Sequence, residues 1–256
     1  MDKRTAHISS WPAPEGTPPL QSDEIHVWRA SLEIAAEEVL ILGNTLTAEE
    51  TGRAGRFRFE KDRSRFVAAR GILRNLLGRY LNIRPGDVRF VYGQYGKPEL
   101  AREKGTARIC FNVSHSHGLA LFAFALNREI GVDIECIQPG PQGDNIAGRF
   151  FAPAEIEALG ALPPPIRQEA FFTCWTRKEA FLKAIGMGIS FGLDRVEVSV
   201  TPRGPAVLIR IDNSPDEAAQ WSLFDLPAGR EYAAALAVKK QVPGLRLYQW
   251  AGSFSV

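Results

Sequence analysis

The sequence predicts an α+β fold built as a pseudo-dimer, in which two similar α+β halves each pack a helix on a small antiparallel sheet. Three observations lead to this fold class. The chain has 256 residues, enough for one large domain or two small ones. It is 45% hydrophobic and 23% charged, which is typical of globular proteins and excludes a largely disordered chain. The order of helical and extended patterns in the first half returns in the second half at a nearly constant spacing.

The first elements are expected to be a tail and a strand. Residues 9–22 hold four prolines and a glycine, which predicts a flexible tail over residues 1–23. The segment EIHVWRASL, from Glu24, alternates apolar and polar residues and predicts a strand. Acid-rich turns are predicted after this strand, around Glu37, Glu38, Glu49 and Glu50.

Each half is predicted to contain one long helix followed by strands. Apolar residues recur at helical spacing from Asp62 to Leu81 and again from Glu169 to Ile185. The strands predicted after the first helix are VRFVY, ICFNVS and LALFAFAL, and those after the second are VEVSV, AVLIRI, WSLFDL and YAAALAV.

The repeat sets the expected domain boundaries. Three residue pairs are each separated by 108 positions: Gly78 and Gly186, Val88 and Val196, and Gly96 and Gly204. Coincidence between two ordinary stretches is the alternative, but the matching order favours a duplication. We therefore expect halves at 24–128 and 129–240, with an extension at 241–256 packed on the N-terminal half. A pseudo-dimer places its ligand site in the cleft between the halves and is expected to be a monomer.

Charge and cysteine usage exclude several classes of protein. With 31 Lys and Arg against 29 Asp and Glu, the net charge of +2 argues against nucleic-acid binding as the main activity. Three cysteines without a CxxC pair describe neither a disulfide framework nor a zinc knuckle, and indicate a reducing compartment. No apolar signal peptide core follows the basic residues at the N-terminus, and no apolar segment is long enough for a membrane span. We expect a cytoplasmic protein that binds no membrane.

Two carboxylates lie at the predicted joint between the halves. Asp133 and Glu135 are two residues apart in GVDIE, so on a strand both project from one face. Such like charges repel unless a cation lies between them, and their oxygens suit Mg²⁺. A solvated strand with two acids is the ordinary alternative for so short a motif.

The second long helix carries a charged pair among aromatic residues. Glu179 and Lys183 are one turn apart and could form a simple surface ion pair. The aromatic residues around them predict a buried helix, in which charges need partners. Glu155, after the turn at Pro153, is most simply explained as a helix-capping residue.

Further polar groups of the first half suit a phosphate. Ser114, His115, Ser116 and His117 end a strand, and their hydroxyl and imidazole donors fit a phosphate better than zinc. Positive charge is concentrated in the same half, at Arg53, Arg56, Arg65, Arg70 and Lys97. A polyphosphate ligand and a solvated arginine face both explain these charges.

Five motifs in this order resemble the 4′-phosphopantetheinyl transferases, and in particular the larger Sfp-like subclass of single chains with two similar halves. The motifs are YGKP (95–98), FNVSHS (111–116), GVDIE (131–135), RFF with a following glutamate (149–155) and WTRKEAFLKAIGMG (175–188). Each motif alone is weak, but the five together are specific. The resemblance covers residues 24–240.

The resemblance implies transfer of the phosphopantetheine arm of coenzyme A to a serine of an apo carrier protein, with Mg²⁺ or Mn²⁺ as the metal. By this resemblance Asp133, Glu135 and Glu179 correspond to the metal ligands, and Lys183 to a lysine beside the pyrophosphate. Glu155 corresponds to a proposed base, although Glu179 or a metal-bound water are alternatives.

The resemblance also implies contacts to the nucleotide of coenzyme A. His115 with Ser114 corresponds to the group that holds the 3′-phosphate, Lys97 to a nucleotide-binding lysine, and Arg53 to a phosphate contact. Phe66 stands where the Sfp-like pattern has a threonine, so no polar contact is expected there.

Two other functions are compatible with the same residues. A different metal-dependent phosphoryl or phosphodiester enzyme could use these carboxylates. A non-catalytic module that binds carrier protein or nucleotide is the second alternative, although all three acids and the lysine are present.

Overall fold

The structure, a computed structural model, describes residues 11–101, 108–138, 142–212, 214–240 and 244–252, without the side chains of 142–145 and 189. The described strands are β1 (Glu24–Ser31), β2 (Phe90–Tyr92), β3 (Pro98–Leu100), β4 (Ile109–Ser116), β5 (Leu119–Leu126), β6 (Ile130–Cys136), β7 (Val196–Val198), β8 (Leu208–Ile211), β9 (Trp221–Asp225), β10 (Tyr232–Lys239) and β11 (Gly244–Gln249). The described helices are α1 (Ala36–Gly43), α2 (Ala48–Ala54), α3 (Glu60–Leu81), α4 (Gln142–Phe150), α5 (Pro153–Gly160), α6 (Pro164–Ile185) and α7 (Pro215–Ala218).

The two halves share one topology. The first half forms a sheet of order β1-β5-β4 and the second a sheet of order β6-β10-β9, so in each half the last strand lies at the centre. Each half also contains a long helix, α3 or α6, and a two-stranded hairpin, β2–β3 or β7–β8. The predicted α+β pseudo-dimer is confirmed. β11 extends the first sheet by pairing with β1 in parallel, an exception to the predicted antiparallel sheets.

The apolar residues form three buried layers because strand residues alternate between two faces. Trp28 of β1 and Phe122 of β5 face α3, whereas their neighbours Val27 and Leu121 face the second sheet. Val132 of β6 contributes to the same layer between the sheets. A third cluster lies between the second sheet and α6. The order is therefore helix, sheet, sheet and helix.

The long helices begin earlier than the periodicity predicts. α3 begins at Glu60 and ends where Asn82 adopts a left-handed conformation, with φ of 54°. α6 begins at Pro164 instead of Glu169, because proline needs no amide donor in the first turn of a helix. It ends at Gly186, whose φ of 73° favours glycine.

The acid-rich segments predicted as turns are helices. Glu38 of α1 and Glu50 of α2 each accept a hydrogen bond from the backbone amide three residues earlier, at 3.1 and 2.9 Å. These are capping interactions that favour helix initiation, so the prediction of turns was wrong.

The residue pairs spaced by 108 positions are not structurally equivalent. Gly78 lies inside α3, whereas Gly186 terminates α6. Val88 precedes its strand by two residues, whereas Val196 begins β7. The repeat therefore resides in the order of elements and not in matched residues.

The described part of the proline-rich segment, residues 11–23, contains no helix or strand but contacts both halves. The indole nitrogen of Trp11 donates to the carbonyl of Pro227 at 2.8 Å, and the guanidinium of Arg29 lies 4.9 Å from the Trp11 ring. These contacts anchor the segment at Trp11, where composition alone predicted flexibility. Residues 1–10 lie outside the described part.

None of the helices described combines the length and apolar character needed to cross a membrane.

Candidate active site

Strand β6 lies unusually close to helix α6. A Cβ atom added to Gly131 would lie 2.1 Å from the carbonyl oxygen of Ala180 and 2.3 Å from the nitrogen of Ala184. Only glycine permits this approach, and the small side chains of α6 at these two positions match it. The same face of β6 presents Asp133 and Glu135 to the helix, as the alternation predicted.

Asp133 is almost completely buried and is only partly satisfied by hydrogen bonds. Its side chain is 2% exposed. Oδ1 accepts from the Ser114 hydroxyl at 2.9 Å and from the Lys183 ammonium at 2.5 Å. Oδ2 is buried without a partner. Because unpaired buried carboxylate oxygens are costly, this atom is available to a ligand.

Lys183 connects the helix to the strand. Its ammonium also donates to the Ser114 hydroxyl at 2.9 Å, and its side chain is 29% exposed. Lys183 therefore forms its ion pair with Asp133 of β6. The alternative, a surface ion pair with Glu179 on the same helix, is not the one observed.

Glu179 is the second partly unsatisfied acid. The side chain is 9% exposed, and Oε1 is buried without a partner. Burial is the main cause that raises its pKa to about 7, with a further contribution from the charge of Asp133, while Lys183 acts in the opposite direction. Burial and the charge of Asp133 also raise the pKa of Glu135 above its ordinary value. The three acids therefore lie close enough to influence one another.

Among the described residues, no group of three His, Cys, Asp or Glu side chains is arranged to hold a metal ion. The predicted ligands Asp133, Glu135 and Glu179 are neighbours, but the Lys183 ammonium lies against Asp133. The donor chemistry nevertheless fits a divalent cation, because two buried carboxylate oxygens lack partners and the acids repel one another.

Glu155 lies in a separate hydrogen-bond network, and its role as the base stays a prediction. Oε2 accepts from the Ala152 amide at 2.8 Å and from the Lys178 ammonium. Oε1 accepts from the Val198 amide at 2.8 Å, and the residue is 2% exposed. Both oxygens are thus used to cap α5 and to join it to α6 and β7. The capping explanation applies.

Lys97 is also used within the protein. Its ammonium donates to the backbone carbonyls of Ile130, Lys183 and Ala184 at 3.2, 2.6 and 2.9 Å. Burial lowers its pKa to about 8. The side chain satisfies the C-terminal carbonyls of α6, and its role as a nucleotide-binding lysine stays a prediction.

Ser114 and His115 point to opposite faces of β4. The Ser114 hydroxyl is buried against Asp133 and lies in the acid cluster, and its contact with a 3′-phosphate stays a prediction. His115 is exposed. Its pKa is lowered because surrounding protein atoms remove part of its hydration, and because Lys183 and Arg65 are nearby cations. Only His115 of the predicted pair remains available to an anion.

Arg53 lies at the end of α2 and is exposed, with its guanidinium 5.4 Å from the ring of Phe66. Phe66 therefore supports the arginine where the family pattern has a threonine. Arg65, one residue earlier, donates to Glu33 at 2.6 Å, and its Nε is buried without a partner.

A cavity of about 530 Å³ opens between the halves at the other end of β4 and β6. Its walls include Gly93, Lys97, Arg108, Ile130, Gly186 and Lys239. Both halves contribute, as expected for a pseudo-dimer.

Asn112 and Ser116 make hydrogen bonds to β6 that the sequence did not predict. Asn112 Oδ1 accepts from the Val132 amide at 2.9 Å. The Ser116 hydroxyl accepts from the Cys136 amide at 3.1 Å and donates to Glu135 at 3.0 Å. The polar residues at every second position of FNVSHS were the available signal.

Comparison with known proteins gives the same two-part division. A model of the 4′-phosphopantetheinyl transferase superfamily matches residues 129–237, and a model of the 4′-phosphopantetheinyl transferase N-terminal region matches residues 28–126. A solved holo-(acyl-carrier-protein) synthase from Bacillus anthracis matches 44% of this chain and 96% of its own, at 21% identity and a TM-score of 0.34.

Curated relatives extend over most of the chain. The 4′-phosphopantetheinyl transferase HetI of Nostoc sp. is 43% identical over 219 residues, which cover 86% of this chain and 89% of that protein. A 4′-phosphopantetheinyl transferase of Bacillus subtilis is 31% identical and covers 62% of this chain and 68% of its own. The chain therefore belongs to the 4′-phosphopantetheinyl transferase family.

Proposed function

We propose that this transferase moves the 4′-phosphopantetheine group of coenzyme A to a serine hydroxyl of an apo acyl or peptidyl carrier protein. Family membership gives the reaction class. The observation that carries the proposal is the meeting of Asp133, Glu179 and Lys183 between β6 and α6, with two buried carboxylate oxygens left without partners. Two similar halves in one chain favour the Sfp-like subclass.

We assign the cation site to Asp133, Glu135 and Glu179. Carboxylate oxygens are the ligands that Mg²⁺ prefers, and Mn²⁺ accepts the same donors. When bound, the ion would supply Lewis-acid neutralisation of pyrophosphate oxygens. Lys183, which is partly exposed, offers a further positive charge to the leaving phosphate.

The reaction is a displacement at phosphorus. The carrier serine oxygen forms a bond to the phosphorus that bears the pantetheine arm. The bond from that phosphorus to the bridging oxygen breaks, and adenosine 3′,5′-bisphosphate leaves with both bonding electrons. The serine proton passes to a base.

We assign the proton acceptor to Glu179. We prefer Glu179 to Glu155, because both oxygens of Glu155 are already hydrogen-bonded inside the protein. Glu179 has a buried oxygen without a partner on the helix that also carries Lys183. We place the 3′-phosphate of coenzyme A near His115 and Arg53, whose side chains are exposed.

We propose that the protein acts as a monomer in the cytoplasm, without nucleic-acid or membrane partners. Three cysteines that form no disulfide agree with a reducing compartment.

Intact-mass measurement of the carrier tests the function. Purified protein, coenzyme A and Mg²⁺ are incubated with several apo carrier proteins, and a gain of one phosphopantetheine group is expected. Chelation of the metal should prevent the gain, and Mn²⁺ should restore it. Glu179→Gln should be inactive, whereas Glu157→Gln, an exposed residue of the same half, should match the wild type.

Two results would contradict the proposal. Release of phosphate from nucleotides without a carrier would identify another phosphoryl or phosphodiester enzyme. Binding of coenzyme A without transfer to any carrier would identify a non-catalytic module.

A further inference from the structure

We propose that Ser116 is a positioning residue, whose hydroxyl fixes the Glu135 carboxylate and the spacing of β6 from β4 with one atom. The inference rests on the proposed function, because it concerns a carboxylate of the proposed cation site. It assigns a role to a residue that was expected only to offer a donor to phosphate.

Strands β4 and β6 lie side by side at the joint of the halves but belong to different sheets. Side chains of β4 hydrogen-bond to the backbone of β6 in place of a backbone ladder. The amides of Val132, Ile134 and Cys136 donate at 2.9, 3.3 and 3.1 Å. The three acceptors, in the same order, are Asn112, Ser114 and Ser116. The joint is therefore held by three side-chain-to-backbone hydrogen bonds, one at every second residue of each strand. We call each of these three contacts a rung.

Two of these rungs carry a second hydrogen bond. Each serine hydroxyl accepts from one amide and donates its hydrogen to the carboxylate of the residue just before that amide. Ser114 donates to Asp133 at 2.9 Å, and Ser116 donates to Glu135 at 3.0 Å. A hydroxyl has one hydrogen and two lone pairs, so one serine can make both bonds.

The third rung lacks this second bond. Asn112 accepts from the amide of Val132, and the residue before that amide is Gly131, which has no side chain. Asn112 thus holds the joint without touching an acid. Comparison of Asn112 with Ser116 separates a purely structural contact from one that also orients a carboxylate.

Glu135 needs such a contact more than Asp133 does. Asp133 is also held by Lys183, whereas the described hydrogen bond to the Glu135 carboxylate comes from Ser116. The glutamate side chain has an additional rotatable bond and is half-buried, so it loses more conformational entropy when a cation binds. The hydrogen bond from Ser116 restricts the carboxylate before the cation binds and so reduces this loss.

The experiment measures Mn²⁺ binding to the full chain by electron paramagnetic resonance, without coenzyme A or carrier. Ser116→Ala, Ser116→Thr and Asn112→Ala are compared with the wild type, and thermal unfolding is recorded for each. Threonine keeps the hydroxyl and is favourable in a strand. Transfer assays at varied Mg²⁺ add KM for the metal and kcat.

We expect Ser116→Ala to weaken Mn²⁺ binding about tenfold and to raise KM for Mg²⁺ more than it lowers kcat, consistent with a contact that orients a ligand. Ser116→Thr should restore binding to within about twofold of the wild type. Asn112→Ala should unfold at a lower temperature but bind Mn²⁺ within about twofold, because its rung touches no carboxylate.

Wild-type affinity in folded Ser116→Ala would overturn the proposal, and so would an equal loss in Asn112→Ala or a failure of threonine to rescue. If the wild type itself bound no Mn²⁺, the metal in the proposed function would fail together with this inference. If the wild type binds Mn²⁺ and Ser116→Ala binds it with the same affinity, this inference alone is overturned.

Discussion

Lys178 and Glu179 are consecutive residues of α6, yet the helix turns their side chains into two different charged regions. On one side, Lys178 pairs with Glu155, and both Glu155 oxygens have further donors. On the other side, Glu179 keeps a buried oxygen without a partner, beside Asp133, whose Oδ2 is also unpaired. The two regions are similarly buried but differ in how completely their acids are hydrogen-bonded.

This difference distinguishes a structural acid from one available to a ligand. A buried carboxylate whose two oxygens are both hydrogen-bonded is stabilised as the charged form and holds its neighbours in place. A buried carboxylate with an unused oxygen and a raised pKa stores an unfavourable interaction that a cation or a proton can relieve. Burial alone does not separate the two cases, whereas the hydrogen-bond partners do.

The largest effect is expected at Asp133. Asp133→Asn removes a negative charge from the proposed cation site, so transfer should fall about a thousandfold or more, which corresponds to about 4 kcal/mol. The melting temperature should stay close to that of the wild type. Carrier mass gain and circular dichroism check both points. Asp212→Asn, at an exposed carboxylate paired with Arg195, is the control and should retain activity.

Glu155→Gln should show the opposite pattern. The change leaves the buried Lys178 ammonium without a countercharge, which costs about 3–5 kcal/mol of the free energy of unfolding. Urea unfolding measures this loss. Transfer by the folded fraction at low temperature should remain within about threefold of the wild type, because Glu155 touches no acid of the cluster. A thousandfold loss of transfer with normal stability would restore Glu155 as the base.

Glu179→Gln should stabilise the metal-free protein in a pH-dependent way. Because the pKa of Glu179 is raised to about 7 in the folded state, the unfolded chain loses this proton first as pH rises from about 4.5. The free energy of unfolding of the wild type therefore falls between about pH 4.5 and 7, and the glutamine variant lacks this fall.

The variant should gain about 3 kcal/mol relative to the wild type at pH 8, compared with little gain at pH 4.5. Urea unfolding in the presence of a chelator measures both values. Glu157→Gln, which is exposed, should give no such difference between the two pH values. If Glu179→Gln gained the same free energy of unfolding at pH 4.5 and at pH 8, burial of the Glu179 charge would not be the cause.

Local sequence signals indicated which face of its element each acid of the cluster occupies. The alternation in GVDIE puts Asp133 and Glu135 on one face, and the helical spacing puts Glu179 and Lys183 on another. Gly131 was quoted as part of the motif, but its consequence, the close approach of β6 to α6, depends on a contact about 50 residues away in sequence.

Partners in space could not be predicted from sequence patterns. The contact of the Lys97 ammonium with carbonyls at the end of α6, which is in the other half, was not predicted. Ser114 and His115 were paired on the family resemblance, whereas adjacent residues of a strand face opposite sides. The predicted turns at Glu38 and Glu50 failed because the capping bonds of these residues were overlooked.

The smallest effect is expected at Lys97, where the hydrogen-bond partners and the family resemblance suggest different roles for the same ammonium. Lys97→Met keeps the length of the side chain but removes donors to three backbone carbonyls, so the free energy of unfolding should fall by about 1–2 kcal/mol. KM for coenzyme A should change less than about threefold, because an ammonium already bonded to carbonyls of Ile130, Lys183 and Ala184 has little left to offer a phosphate. Steady-state kinetics with varied coenzyme A, together with urea unfolding, measure the two effects separately. A tenfold rise in KM at unchanged stability would instead mean that the ammonium leaves the helix end to bind the nucleotide, and the region around Lys97 would then belong with the acid cluster as a ligand site.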